Sequence, residues 1–213
     1  MTASAVLWDF GGVVLESPFD AFARYERANG LPAGFLRGLN ATDPDTNAWA
    51  RMERSEVSIA EFAILFEAEA SAAGHSIDAR AVLGLLSGGL RPDMVQAVRC
   101  CASRIPTGLV TNNFVGLDTV GPSGPVAEVM GLFHVVIESS KVGVRKPDPR
   151  IYELACEALG VSPAETVFLD DLGINLKPAR AMGMTTIKVV DPARALAELE
   201  AAVGFPLTDP SRR

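Results

Sequence analysis

Asp9 directly follows the apolar run AVLW, Thr111 and Asn112 follow GLV, and Asp170 and Asp171 follow VFL. Taken singly, each is an ordinary residue for a turn after a strand. Taken together, they deliver acidic groups and a hydroxyl to one edge, because ligands of open parallel sheets bind beyond the carboxyl ends of the strands. Carboxylates brought so close repel one another and raise each other's pKa values unless a cation holds them. An all-oxygen set calls for a hard ion, and Mg²⁺ is the expected one. Lys146, in KPDPRIY, is one of only four lysines in the chain. Beside that edge it would supply the fixed positive charge that an anionic nucleophile and an anionic substrate both need.

The elements that must position these residues can be read from the same runs. Residues 5–8, 108–110, 135–137, 167–169 and 186–190 are rich in Val, Ile and Leu without clean alternation, as expected of buried strands. Asp148-Pro149 and Asp191-Pro192 each read as an N-cap with proline at the first helical position. Helices alternating with strands predict an α/β fold, a Rossmann-like doubly wound parallel sheet. The rhythm breaks between Val13 and Arg91, where helical pattern appears without a strand. Helices are expected near residues 18–28, 45–54, 58–73 and 77–86, the third opened by the capping box Ser58-x-x-Glu61. The expected organisation is a core of residues 1–15 and 91–205, an inserted helical cap over 16–90, and a polar, loosely held tail over 206–213. Ser17-Pro18 and Gly88-Gly89 with Pro92 are the expected hinges.

Composition narrows the function classes. With 213 residues, 48% hydrophobic and 21% charged, the chain can bury a full core. Its net charge of −7 and lack of a basic cluster argue against nucleic acid. The amino terminus has no basic region before its apolar stretch, and no apolar run approaches a membrane span, so a cytoplasmic protein with a small ligand is expected. Cys100, Cys101 and Cys156 lack metal-ligand spacing and read as free thiols.

The assembled motifs resemble the haloacid dehalogenase superfamily: DFGGV at residues 9–13, VTNN at 110–113, KPDP at 146–149 and FLDD at 168–171, in that order, with the helical interval where the superfamily carries its cap. The stretch from SKVGVRKPDPRIY to GMTTIKV is similar to the phosphatase domains fused to soluble epoxide hydrolases and to hydrolase-like domains fused to some acyl-CoA dehydrogenases. The resemblance implies a Mg²⁺-dependent hydrolase acting on a small phosphorylated metabolite. In it Asp9 attacks phosphorus to give an aspartyl-phosphate that water then hydrolyses. It implies that Thr111 and Asn112 hold the phosphoryl group and that Lys146 orients Asp9. It further implies that Asp9, Asp171 and the Gly11 carbonyl bind Mg²⁺, with Asp170 and Asn175 acting behind them or through water.

One position departs from the pattern. Phosphatases of the superfamily usually carry a second aspartate two residues after the nucleophile, which protonates the leaving group; here that residue is Gly11. Good leaving groups, or a proton from a cap residue or the substrate, would answer the loss. A 2-haloacid dehalogenase is an alternative, since halide leaves unprotonated, although such enzymes usually have an aromatic residue at this position and need no magnesium. A phospho-ligand-binding domain with little turnover is another. The absence of lysine from residues 1–140 argues strongly against phosphonate cleavage through a cap lysine. Substrate choice is expected to lie with the cap and with the loop Gly116 to Pro125. Trp49, Arg51 and Arg54 are candidate contacts, set against a reading in which the tryptophan is packed and the arginines are solvated.

Overall fold

The apolar runs form one parallel sheet in a computed structural model that describes residues 2–86, 88–114 and 124–207. Its strands are β1 (Ala5–Trp8), β2 (Thr107–Thr111), β3 (Val135–Glu138), β4 (Thr166–Asp170) and β5 (Thr185–Lys188), laid side by side as β3-β2-β1-β4-β5. All neighbours are parallel. The chain steps outward from β1 through β2 to β3, then returns to β4 on the other side of β1. That reversal is the topological switch point, where an α/β sheet leaves a crevice for ligands. Asp9 and Asp170 sit at its two lips.

Strand residues alternate between two apolar layers. Val6, Trp8, Leu109, Val167 and Leu169 pack on one face with α6 (Pro92–Ala102), α7 (Pro125–Met130) and α11 (Pro192–Val203). Leu7, Val110 and Phe168 pack on the other with α9 (Pro149–Leu159) and α10 (Gly173–Ala181). A short helix, α8 (Ser139–Val142), follows β3. The Asp148 and Asp191 side chains accept hydrogen bonds from Arg150 N and Arg194 N, capping α9 and α11 as their sequences predict. Leu207 is buried in the first layer and its N–H donates to Glu200 Oε1 at 2.7 Å. The described start of the stretch expected to be a loose tail is therefore anchored.

Between the first motif and Arg91 the described residues form five helices: α1 (Phe19–Ala28), α2 (Phe35–Ala41), α3 (Ala48–Glu53), α4 (Ile59–Ala72) and α5 (Ala79–Gly84). They share their own apolar cluster, in which Trp49 stands edge-on to Phe62 and Phe66. Phe114, from the loop after β2, is buried in the same cluster. Ser58 and Glu61 make the capping box of α4. The helix α2 was not expected, and its start explains why. Gly34 offers no side-chain cap, and the carboxylate of Glu26, a whole helix earlier, takes the Gly34 and Leu36 N–H groups at 2.8 and 3.0 Å. The two connections to the sheet run antiparallel, with Glu16 N to Gly89 O at 2.8 Å and Arg91 N to Val14 O at 2.9 Å. A Cβ on Gly88 would lie 2.8 Å from the Glu16 carbonyl oxygen, so this close approach requires glycine.

Candidate active site

Lys146 is the centre of the constellation. Its side chain is 1% exposed, and its ammonium lies 2.7 Å from both Asp9 Oδ1 and Asp170 Oδ2. Burial works against its charge, yet Asp170 and Asp9 more than offset it and raise its pKa. The backbone around it is clamped by Asn112, whose side chain accepts from Lys146 N at 2.8 Å and donates to Lys146 O at 3.0 Å. The Asn112 side-chain amide therefore serves the lysine turn.

Asp9 is set by the end of β1. Its Oδ1 also accepts the Phe10 N–H at 2.7 Å, and two donors on one oxygen fix the carboxylate's rotation. Oδ2 takes no hydrogen bond from the described residues. Its pKa is raised well above the ordinary carboxylate range, first by burial and then by Asp170 and Asp171, with Lys146 opposing. Asp170 is fully buried: Oδ1 accepts from Leu172 N at 2.8 Å, and Asn175 Nδ2 reaches both oxygens at 3.1 and 3.0 Å. Tyr152 braces that asparagine by donating to the Asn175 carbonyl at 2.7 Å. Sequence reasoning missed Tyr152, which reads as one more apolar position on α9.

Asp171 completes an acidic group: carboxylate oxygens of Asp9, Asp170 and Asp171 all lie within 4.8 Å of one another. Burial, then Asp170, pushes the Asp171 pKa up to about 6. With all three ionised, three carboxylates against one ammonium would leave two negative charges over. The oxygen set, the crowding and the raised pKa values fit a hard divalent cation. The turn after Asp9 is shaped for this. Gly12 has φ +78°, and a Cβ there would fall 2.3 Å from Asp171 Oδ2, so only glycine lets the first and fourth motifs meet. Gly11 differs: φ −69° and ψ 128° suit any residue, it is exposed, and a Cβ would meet nothing within 4 Å.

Thr111 ends β2 on the same edge, 8% exposed and paired in register with Glu138. Asn113 ties that edge to the start of α8, donating to Glu138 Oε1 at 2.7 Å and accepting from Ser140 Oγ at 2.8 Å. Of the candidate cap contacts, Trp49 is packed in the helical cluster. Arg51 and Arg54 pair with Glu56, at 3.9 and 2.6 Å. Of the loop Gly116 to Pro125, residues 116–123 lie outside the described residues.

Comparisons with known proteins find relatives along most of the chain. The chain is 36% identical over 209 residues to acyl-CoA dehydrogenase family member 10 of Mus musculus, covering 95% of this chain and 19% of that protein. It is 33% identical over 220 residues to bifunctional epoxide hydrolase 2 of Mus musculus, covering 96% and 39%. It therefore spans well under half of these relatives. A phosphatase of Mycobacterium tuberculosis is 31% identical over 196 residues, with 86% of each chain covered. Among solved structures, a Bacteroides thetaiotaomicron enzyme in complex with magnesium and inorganic phosphate shares the fold, with a TM-score of 0.59, 18% identity, and 87% and 93% of the chains covered. The profile of the haloacid dehalogenase-like hydrolases matches residues 3–183, which take in all four motifs of the site. Because that match spans most of the chain, the chain belongs to the haloacid dehalogenase-like hydrolase family.

Proposed function

We propose that this hydrolase is a Mg²⁺-dependent phosphohydrolase acting on a small phosphorylated metabolite through an aspartyl-phosphate on Asp9. The observation that carries the reading is the placement of Lys146 at 2.7 Å from Asp9, beside an acidic group that fits a divalent cation. Asp9, Asp171 and the Gly11 carbonyl would hold the cation, which would supply positive charge against the carboxylates and the phosphoryl group. An Asp9 carboxylate oxygen attacks phosphorus as the ester P–O bond breaks, and water then cleaves the Asp9–phosphate bond to restore the carboxylate. Thr111 and the main chain at Asn112 hold phosphoryl oxygens. Lys146 keeps the nucleophile in place and offsets charge that builds in the transition state. Asp170 and Asn175 brace the lysine.

Phosphatases among the relatives and the magnesium and phosphate complex of the Bacteroides protein support this reading. Hydrolysis of p-nitrophenyl phosphate that needs Mg²⁺ is the expected result, with a panel of phosphomonoesters, acyl phosphates and 2-haloacids run beside it. Metal-independent halide release would replace the reading with the dehalogenase. Tight binding of a phosphate analogue without turnover on any substrate would replace it with a binding domain.

Gly11 leaves the departing alkoxide to take its proton from elsewhere, and its exposure gives water a route to that position. Because the backbone and the space around it admit a side chain, Gly11→Asp should fold normally. The new acid should raise the rate on alkyl phosphates by up to about 10²-fold and on p-nitrophenyl phosphate, a far better leaving group, much less. Equal gains on the two substrates would show that proton donation does not limit the reaction.

The acidic group also predicts how metal and pH combine. The folded-state pKa of Asp171, about 6 against an ordinary 3.8, means that the fold binds a proton there more tightly than the unfolded chain does. Stability of the metal-free protein should therefore fall as pH rises through that window. Since Mg²⁺ takes the proton's place, it should raise Tm by about 5 °C at pH 7.5 and by much less at pH 5. Thermal melts at the two pH values check this; a Mg²⁺ shift independent of pH would place the cation elsewhere.

A further inference from the structure

The helical layer meets the catalytic edge at a largely buried ion pair. Arg145, the residue before Lys146, donates from Nε to Glu53 Oε2 at 2.7 Å and from its guanidinium to the Pro44 carbonyl at 2.7 Å. Glu53 ends α3 and Pro44 lies in the segment leading into that helix, so both acceptors belong to the helical layer. The Arg145 and Glu53 side chains are 20% and 15% exposed, whereas Arg150 and Glu157 on the surface of α9 are 48% and 60% exposed. Solvent therefore screens the Glu53 pair much less. Burial pushes the Glu53 carboxyl up, with Arg145, then Lys146 and the Asn112 amide, pulling it back. Glu53 thus shares a neighbourhood with the lysine and with the asparagine that clamps it.

The Arg145-Lys146 turn is gripped from two sides. Asn112 holds the Lys146 backbone from the sheet. Glu53 holds Arg145 from the helical layer. A turn held at one point only would let the ammonium wander from Asp9 and Asp170, and misplacement by about 1 Å can cost on the order of 10²-fold in rate.

We infer that Glu53 is a positioning residue which, by holding Arg145, sets Lys146 against Asp9 and Asp170, so that docking of the helical layer and readiness of the lysine are one event. Only the kinetic part of its test rests on the phosphohydrolase reading.

Amide hydrogen exchange in the full chain tests it without substrate. In Glu53→Gln and in Arg145→Gln, exchange over residues 144–148 should speed up by about tenfold or more, while α4 amides stay within about twofold. Ser55→Ala, which removes a different contact, the Ser55 Oγ hydrogen bond to the Ser140 carbonyl at 2.9 Å, should leave residues 144–148 within about twofold. Exchanging the charges, Glu53→Arg with Arg145→Glu, should restore protection. Unchanged exchange over residues 144–148 in Glu53→Gln overturns the inference. So does an equal loss of protection throughout the helical layer, which would make Glu53 only a structural residue. In kinetics, Glu53→Gln should lower kcat on p-nitrophenyl phosphate about tenfold with KM within about threefold, and the charge exchange should recover most of it. A KM effect alone would also overturn the inference. No turnover of p-nitrophenyl phosphate by the wild-type protein would count against the phosphohydrolase reading, and the exchange measurements would still decide the role of Glu53.

Discussion

Asp9→Asn should lose turnover by on the order of 10⁴-fold or more while its Tm, measured without divalent cation at pH 7.5, stays level or rises. The first half rests on the proposed role of Asp9 as nucleophile, since an amide would not form the aspartyl-phosphate. The second half follows from crowding. Burial, then Asp170 and Asp171, raises the Asp9 pKa in the fold. By linkage, a carboxyl raised above its unfolded value costs stability at every pH above that value, because the fold must either ionise it in place or protonate it. Asparagine removes that cost and keeps an oxygen to accept from Lys146 and Phe10 N. The gain should be about 1–2 kcal/mol, or roughly 2–8 °C in a chain of this size. The same variant should lose most of the Tm shift that Mg²⁺ is expected to give the wild-type protein, since the proposed cation site loses one carboxylate. A destabilised, metal-responsive Asp9→Asn protein would mean that Asp9 serves the fold rather than the reaction.

The legibility of this site varied with how local each interaction is. The ends of β1, β2 and β4 were readable because an apolar run followed by a polar residue marks both the strand and its functional edge. Parallel order then fixes which ends converge. Ser58 and Glu61 were readable as a cap because all partners lie within one turn. The α2 start was not, because the Glu26 carboxylate that satisfies Gly34 and Leu36 comes from another helix. Asn47 is a similar case: its side chain accepts from Ala50 N and donates to the Asn40 and Thr42 carbonyls, so α3 opens at Ala48 rather than at Asp45. At the site, motif order placed Lys146 beside Asp9, yet nothing in KPDP says that Asn112 would spend its side-chain amide on the lysine turn. Glu53 and Arg145 are 92 residues apart, and each alone looks like a solvated charge. Gly12 reads as a motif glycine in sequence; only the structure, where a Cβ on it would fall 2.3 Å from Asp171 Oδ2, shows what it makes room for.

Lys146→Met should act on stability in the opposite sense to Asp9→Asn. It removes the ammonium that lies against both Asp9 and Asp170, and leaves a buried acidic group without its internal counter-charge. Breaking a buried pair from one side costs about 3–5 kcal/mol, which for a chain of this length is a Tm drop of roughly 6–20 °C. The raised Lys146 pKa fixes the pH behaviour. Its contribution is fully present below the unfolded value of 10.5 and is lost only as pH rises through the higher folded value, so the lysine is charged throughout the working range. Asp171 is not: with its pKa of about 6 it is largely protonated at pH 5, and the variant should lose less there than at pH 8. Mg²⁺ should recover part of the loss, because it brings positive charge to the same oxygens. In the double variant Asp9→Asn/Lys146→Met the two effects should not add, since neutralising Asp9 removes one of the charges that Lys146 offsets; a coupling of about 1–3 kcal/mol is expected. Thermal melts of the four proteins with and without Mg²⁺ measure it. Additive effects, or a Lys146→Met protein as stable as wild type at pH 8 without metal, would show that Lys146 and the aspartates do not form one electrostatic unit.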